Sequence, residues 1–179
     1  MTLITVLIGG FAWGWLTDRL GPKRTLNYVL RFWMGIFVGA ALVGLLGWPL
    51  WTMYGVGAAA GFALGGVWAA DRPYMLRLTP PSRVGEFYGL YGMVGRFSAI
   101  TGPVIWAVGT SVGIGVFGLS PVAAEGLAVL VLLLLVVVSY IILQPVSDKP
   151  RDWSGVPGSM LPAGSSAVVT DRPPEVGAG

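Results

Sequence analysis

The sequence predicts an all-α integral membrane protein: five membrane-crossing helices followed by a polar tail. Three observations predict it. Hydrophobic residues fill 55% of the 179 positions and charged residues only 11%, against about a quarter charged in ordinary soluble domains. The apolar residues gather in runs of bilayer-crossing length, about 20 residues for a hydrocarbon core of about 30 Å. The Lys and Arg residues between those runs come in alternating clusters.

The first run, residues 1–16, is apolar but short, about 24 Å as a helix. No basic stretch precedes it and no small-residue cleavage site follows, so it does not read as a signal peptide. It reads as the later part of a crossing helix. Residues 25–46 form the second run, with Arg31 as its single internal charge. Residues 50–70 form the third, with no charge. Residues 86–108 form the fourth, charged at Glu86 and Arg96, and residues 121–144 the fifth, apolar without a break from 127 to 138. Residues 1–145 are therefore expected to be one partial helical bundle. From 146 to 179, Pro, Gly, Ser and Asp dominate and no apolar period persists, so a disordered extension is expected.

The connection at 17–24 carries Arg19, Lys23 and Arg24, and that at 71–85 carries Arg72, Arg77 and Arg83. The tail carries Lys149, Arg151 and Arg172, while the connections at 47–49 and 110–120 carry no basic residue. Because basic loops stay on the cytoplasmic side, the three basic segments are expected there, with the N-terminus outside and the C-terminus inside. The net charge of +3 reads as membrane topology, and no nucleic-acid partner is expected.

Two residue types are missing. Without Cys there is no disulfide, thiolate nucleophile or Cys-ligated metal. Without His, the Ser-His-Asp triad and His-ligated zinc are excluded within this sequence. Arg31, Arg96 and Glu125 are a poor acid–base set, so no catalytic residue, cofactor or metal is expected. Glu125 lies near the start of the last run, where a helix N-terminus favours a carboxylate.

In lipid, small residues let helix backbones approach. Gly57, Gly61 and Gly65 fall four apart on one helix face, widened by Ala58 and Gly66. Gly35 and Gly39 repeat the spacing on the preceding helix. These are expected packing faces. The tryptophans at 13, 15, 48, 51 and 68 fall near run ends, where aromatic side chains anchor at the interface. Gly102 and Pro103 interrupt the fourth run and mark a candidate hinge, since Pro removes a backbone donor.

The first connection carries the most specific pattern. Gly14, Leu16, Asp18, Arg19, Gly21, Lys23 and Arg24 follow the spacing G-x-L-x-D-R-x-G-x-K-R. The string resembles the loop between the second and third helices of each half of a major facilitator. Pro22 stands where a basic residue is more usual. The resemblance implies a conformational latch made by Gly14, Asp18, Arg19, Gly21, Lys23 and Arg24, with Asp18 pairing across the interface between halves.

A second stretch narrows the resemblance. Gly61, Leu64, Gly65, Gly66, Ala69 and Arg72 lead to Thr79-Pro80, then Glu86, Phe87, Tyr88, Gly89, Leu90 and Tyr91, then Gly95, Arg96, Gly102 and Pro103. This is similar to the vacuole-effluxer-like branch of the major facilitators, the autophagy-related amino-acid effluxers. Trp68, Asp71, Pro73 and Arg96 depart from that pattern, where Gln, Ser, Ser and Lys are usual.

The resemblance covers about residues 9–144. It implies that the five spans correspond to helices eight to twelve of a twelve-helix carrier, with spans one, three and four facing the cavity or the other half. It implies alternating-access movement of a small polar solute, an amino acid or related metabolite, across a membrane, the plasma membrane in a bacterial cell. Lipid, the solute, and the missing N-terminal helices or a partner chain are the expected partners. The alternative is a non-transporting membrane subunit that dimerises or complements a separate N-terminal half. Arg96, Glu86 and Arg72 are the candidate cavity or coupling residues. A charge in the body of a span belongs in a wet cavity, in the bundle interior or beside a carboxylate. Arg31, nearer a helix end, is expected to snorkel.

Overall fold

The computed structural model describes residues 2–49 and 51–147, and among these every regular element is helical. Helix α1 is Thr2–Leu20, α2 Pro22–Leu46, α3 Thr52–Leu78, α4 Val84–Gly115 and α5 Pro121–Leu143, with a short 3₁₀ turn at Pro81–Arg83 before α4. The expected tail beyond 147 lies outside the described residues.

Four helices, α2, α3, α4 with its leading turn, and α5, are long and apolar enough to cross a membrane. The fifth, α1, falls short of that measure because Thr17, Asp18 and Arg19 occupy its last turn. Its 19 residues still extend about 28 Å.

The helices outrun the apolar spans. α2 begins at Pro22 rather than 25, α3 continues past Ala70 to Leu78, and α4 runs on past Val108 to Gly115. Backbone hydrogen bonding does not need apolar side chains, so a helix can carry its charged end into the headgroup layer. The expected connection at 71–85 shrinks to 79–83. There Thr79, extended at φ −99° and ψ 132°, precedes Pro80, and a pre-proline residue disfavours the α region.

The other boundaries follow from local chemistry. The connection between α1 and α2 is Gly21 alone, at φ 85° and ψ 155°, a conformation essentially reserved for glycine. Pro22 follows at the first helical position, where its missing N–H costs nothing. Gly47 ends α2 in the left-handed conformation at φ 66°. Ser120 caps α5, its hydroxyl accepting from the Ala123 amide at 3.3 Å, with Pro121 next.

The helices stand in a bent row. α1 packs on α3, α3 on α2, α2 on α5, and α5 on α4. α1 and α3 run parallel: Gly9 meets Phe62, and Gly10 meets Gly65. α2 and α5 run antiparallel, Lys23 reaching Gln144 at one end and Gly44 meeting Val122 at the other. The core sits where α1, α2 and α3 meet. Trp13, Phe32 and Phe62 pack there with ring centroids 5.7–6.3 Å apart, beside fully buried Val29 and Ala63.

Small residues set these spacings, though only partly those expected. A Cβ on Gly65 would strike the α1 backbone at Gly9, Gly10 and Val6, and one on Gly66 would come within 2.8 Å of the Trp13 ring. Gly61 is buried in the same helix. Gly57 differs: a Cβ there meets nothing within 4 Å, and the same holds for Gly35 and Gly39. The close approach lies two turns further along α3, at Gly65 and Gly66. Of the other tight glycines, Gly9, Gly44 and Gly126 have no four-residue repeat to announce them, whereas Gly109 and Gly113 fall four apart on α4 and meet Ala128 and Ala124 of α5, a repeat the sequence reading passed over.

Candidate functional site

The connectivity brings the basic ends of α1 to α4 to one side, together with the last turn of α5. Lys23 at the start of α2 donates to the carbonyls of Gln144 and Val146 at the end of α5. Tyr74, late in α3, reaches the Ser147 carbonyl at 3.4 Å. Asp71 in α3 accepts from Tyr91 in α4. Arg19, Lys23, Arg24, Arg72, Arg77 and Arg83 therefore share one basic end of the bundle.

The first connection is tighter than its sequence suggests. α1 runs through Asp18 and Arg19 to Leu20, so the basic turn at 17–24 is two helix ends and one glycine. Arg19 lies over the Trp15 ring, 3.9 Å from its centroid, a cation–π geometry. Lys23 donates to the Gln144 and Val146 carbonyls just past α5 instead of facing outwards. Asp18 and Arg24 are exposed, and among the described residues Asp18 has no hydrogen-bond or ion-pair partner. Gly14 faces open space.

The second group lies between α3 and α4. The Tyr91 hydroxyl donates to Asp71 Oδ2 at 2.6 Å, and Arg72 is near enough to act electrostatically on that hydroxyl. Tyr88 packs edge-on against Tyr91 at 6.4 Å. Elsewhere α3 and α4 hardly touch, for α4 packs on α5. Sequence reading had not singled out Asp71 as a site residue. Its signal was the departure from Ser, in a helix whose preceding span has no charge.

Arg96 lies about 18 Å along α4, a helix of about 48 Å. It is exposed, and among the described residues it has no hydrogen-bond or ion-pair partner. Glu86, in the first turn of α4, is exposed too. The structure does not bring Arg96, Glu86 and the Asp71–Tyr91 pair into one pocket. It spaces Glu86, Tyr91 and Arg96 along α4, with Asp71 and Arg72 on α3, and α4 is thinly packed around Arg96, where neighbouring Phe97 and Ile100 are each 70% exposed. Gly102 and Pro103 sit within α4, which continues unbroken through them. Glu125 stands in the second turn of α5, past the first turn where the dipole acts.

Two of the grooves between helices are apolar. One is walled by Val6, Phe11, Trp68 and Ala69 of α1 and α3, another by Val104, Val108, Leu127 and Val131 of α4 and α5. Among the described residues no three acidic side chains gather as a metal ion would need. The arrangement offers charged groups on exposed helix surfaces in place of an enclosed reaction centre.

Residues 1–173 match the Major Facilitator Superfamily. The chain is similar to autophagy-related protein 22 of Coccidioides immitis, 30% identical over 120 residues, covering 59% of this chain and 19% of that protein. It is similar to autophagy-related protein 22 of Pyricularia oryzae, 31% identical over 114 residues (55% of this chain, 16% of that protein). With autophagy-related protein 22-2 of Sclerotinia sclerotiorum the identity is 32% over 114 residues, again 55% and 16%. The chain thus spans between 16% and 19% of the length of these curated relatives. No solved structure matches. The effluxer-like resemblance is thereby matched by relatives that carry the autophagy-related name.

Proposed function

Because the chain belongs to the major facilitator superfamily, we propose that its helices form part of a secondary active transporter that moves a small polar solute by alternating access. The observation that carries this reading is Arg96. A guanidinium far along a spanning helix, exposed and without a described partner, is costly against lipid. The α4 surface that bears it is therefore a cavity wall or a contact with another helix. Carriers of this kind place the solute near the midplane, between two helical halves.

In this reading Arg96 attracts an anionic or carboxylate group of the solute. Resemblance to the effluxer-like branch favours an amino acid or related metabolite, and no catalytic step is involved. Further helices, in the same polypeptide or in a partner, complete the cavity. They also supply the groups that Asp18 engages when the basic end closes. That end faces the cytoplasm, and Gly102-Pro103 lets α4 flex.

The test is solute flux in proteoliposomes containing these helices together with any encoded beside them. Arg96→Ala and Asp18→Asn should each cut amino-acid flux at least tenfold while the protein remains folded. Undiminished flux in both variants sinks the site assignments. Absence of flux for every amino acid offered, with the bundle intact, favours the non-transporting subunit.

A further inference from the structure

Arg31 of α2 does more than reach for water. Its Nε and Nη2 donate to the Tyr140 hydroxyl of α5 at 3.0 and 2.7 Å. Its guanidinium carbon lies 5.4 Å from the Tyr140 ring centroid and 5.9 Å from that of Tyr28. Two tyrosines thus hold the planar group in place on an exposed surface. Nη1 keeps both its N–H groups, and among the described residues no carboxylate meets Arg31.

The height of the group is set by Tyr140, one turn from the end of α5. That is the basic end, where Lys23 and Asn27 also join α2 to Gln144. A groove leads from Arg31 towards the bilayer centre, walled by Phe32, Gly35, Ile36 and Gly39 of α2 and by Val56 and Ala59 of α3. From Arg31 to Gly39 it runs about 12 Å, and at Gly35 and Gly39 its floor is bare backbone with nothing within 4 Å.

We infer that Arg31, Tyr28 and Tyr140 form a binding site for an anionic phospholipid in the leaflet at the basic end. The phosphate takes the free edge of the guanidinium, and one acyl chain lies in the Gly35–Gly39 groove. Charge complementarity selects this occupant. A guanidinium presents donors in the planar geometry a phosphate accepts, and an unneutralised charge beside hydrocarbon is costly. Basic sites between helices on the cytoplasmic side meet an anionic leaflet. This inference rests on the reading that the basic end faces the cytoplasm and does not depend on the transport reading.

The experiment uses the whole chain, purified and examined by native mass spectrometry with phosphatidylglycerol and phosphatidylcholine in equal amounts. Wild type should retain phosphatidylglycerol preferentially. Arg31→Gln should lower that preference about fivefold, whereas Arg83→Ala, which removes an exposed charge at the same end, should leave it intact. Equal loss in both variants would make the effect one of net charge and overturn the site. So would competition by inorganic phosphate as effective as by the lipid. As a measurement that needs no variant, a photoreactive phosphatidylglycerol should label α2 and α5 around Tyr28 and Tyr140. Labelling confined to other helices overturns the proposal.

Discussion

The Tyr91 hydroxyl of α4 and the Asp71 carboxylate of α3 share a 2.6 Å hydrogen bond across two helices that otherwise scarcely meet. A bond to an ionised acceptor is stronger than a neutral one, and here few other contacts compete with it. Tyr91→Phe should therefore cost about 1.5–3 kcal/mol, the scale of a hydrogen bond to a charged group. Asp71→Asn combined with Tyr91→Phe should cost less than the two single changes added. Unfolding in detergent measures the cycle; strict additivity would mean that the bond contributes nothing in the membrane.

The α1–α3 crossing predicts a contrast between two glycines of the same helix. Gly65→Ala places a methyl within 2.8 Å of the Gly9 carbonyl carbon and closer still to Gly10 and Val6. Forced separation of packed elements costs about 1–3 kcal/mol. Gly57→Ala meets nothing within 4 Å, and such a change should stay within about 0.5 kcal/mol of wild type. Thermal unfolding of the two variants in one detergent decides between a true crossing and a generic glycine effect.

Gly21 is the whole connection between α1 and α2, and its φ of 85° with ψ of 155° leaves a side chain strained. Gly21→Ala should cost about 1–3 kcal/mol. Gly14→Ala, seven residues earlier with open space around it, should be nearly silent. Comparing their melting temperatures separates the turn from the rest of the motif.

The lack of cysteine makes single-cysteine mapping direct. Arg19→Cys and Arg77→Cys should react with an impermeant maleimide from the same side of the membrane. Ser120→Cys, at the opposite end of α5, should react only from the other side. If Arg19→Cys and Arg77→Cys labelled from opposite sides, the threading of α2 and α3 would be wrong.

Much of the architecture was legible in one dimension. The apolar runs located all five helices, and the motif at 14–24 pointed to the family. Helix ends were less legible, because α3 carries Asp71 to Leu78 as helix although hydropathy has already fallen. The packing glycines were half legible. Repeat spacing singled out Gly65 together with Gly57, and only the position of α1 against α3 separates the buried one from the open one.

The chain's hydropathy and charge alternation by themselves determined that it is a helical membrane protein and that its basic segments gather at one end of the bundle. These are local properties, summed along the chain and tested against a slab of lipid. Which side chains pair was decided only by the tertiary structure. Arg31 looked like a solitary snorkelling charge until α5 brought Tyr140 beside it from 109 positions away. Asp71 looked like a departure from a pattern until Tyr91 met it. Such pairs depend on the order and rotation of neighbouring helices, which close contact between small residues sets in lipid, where hydropathy no longer distinguishes one apolar face from another.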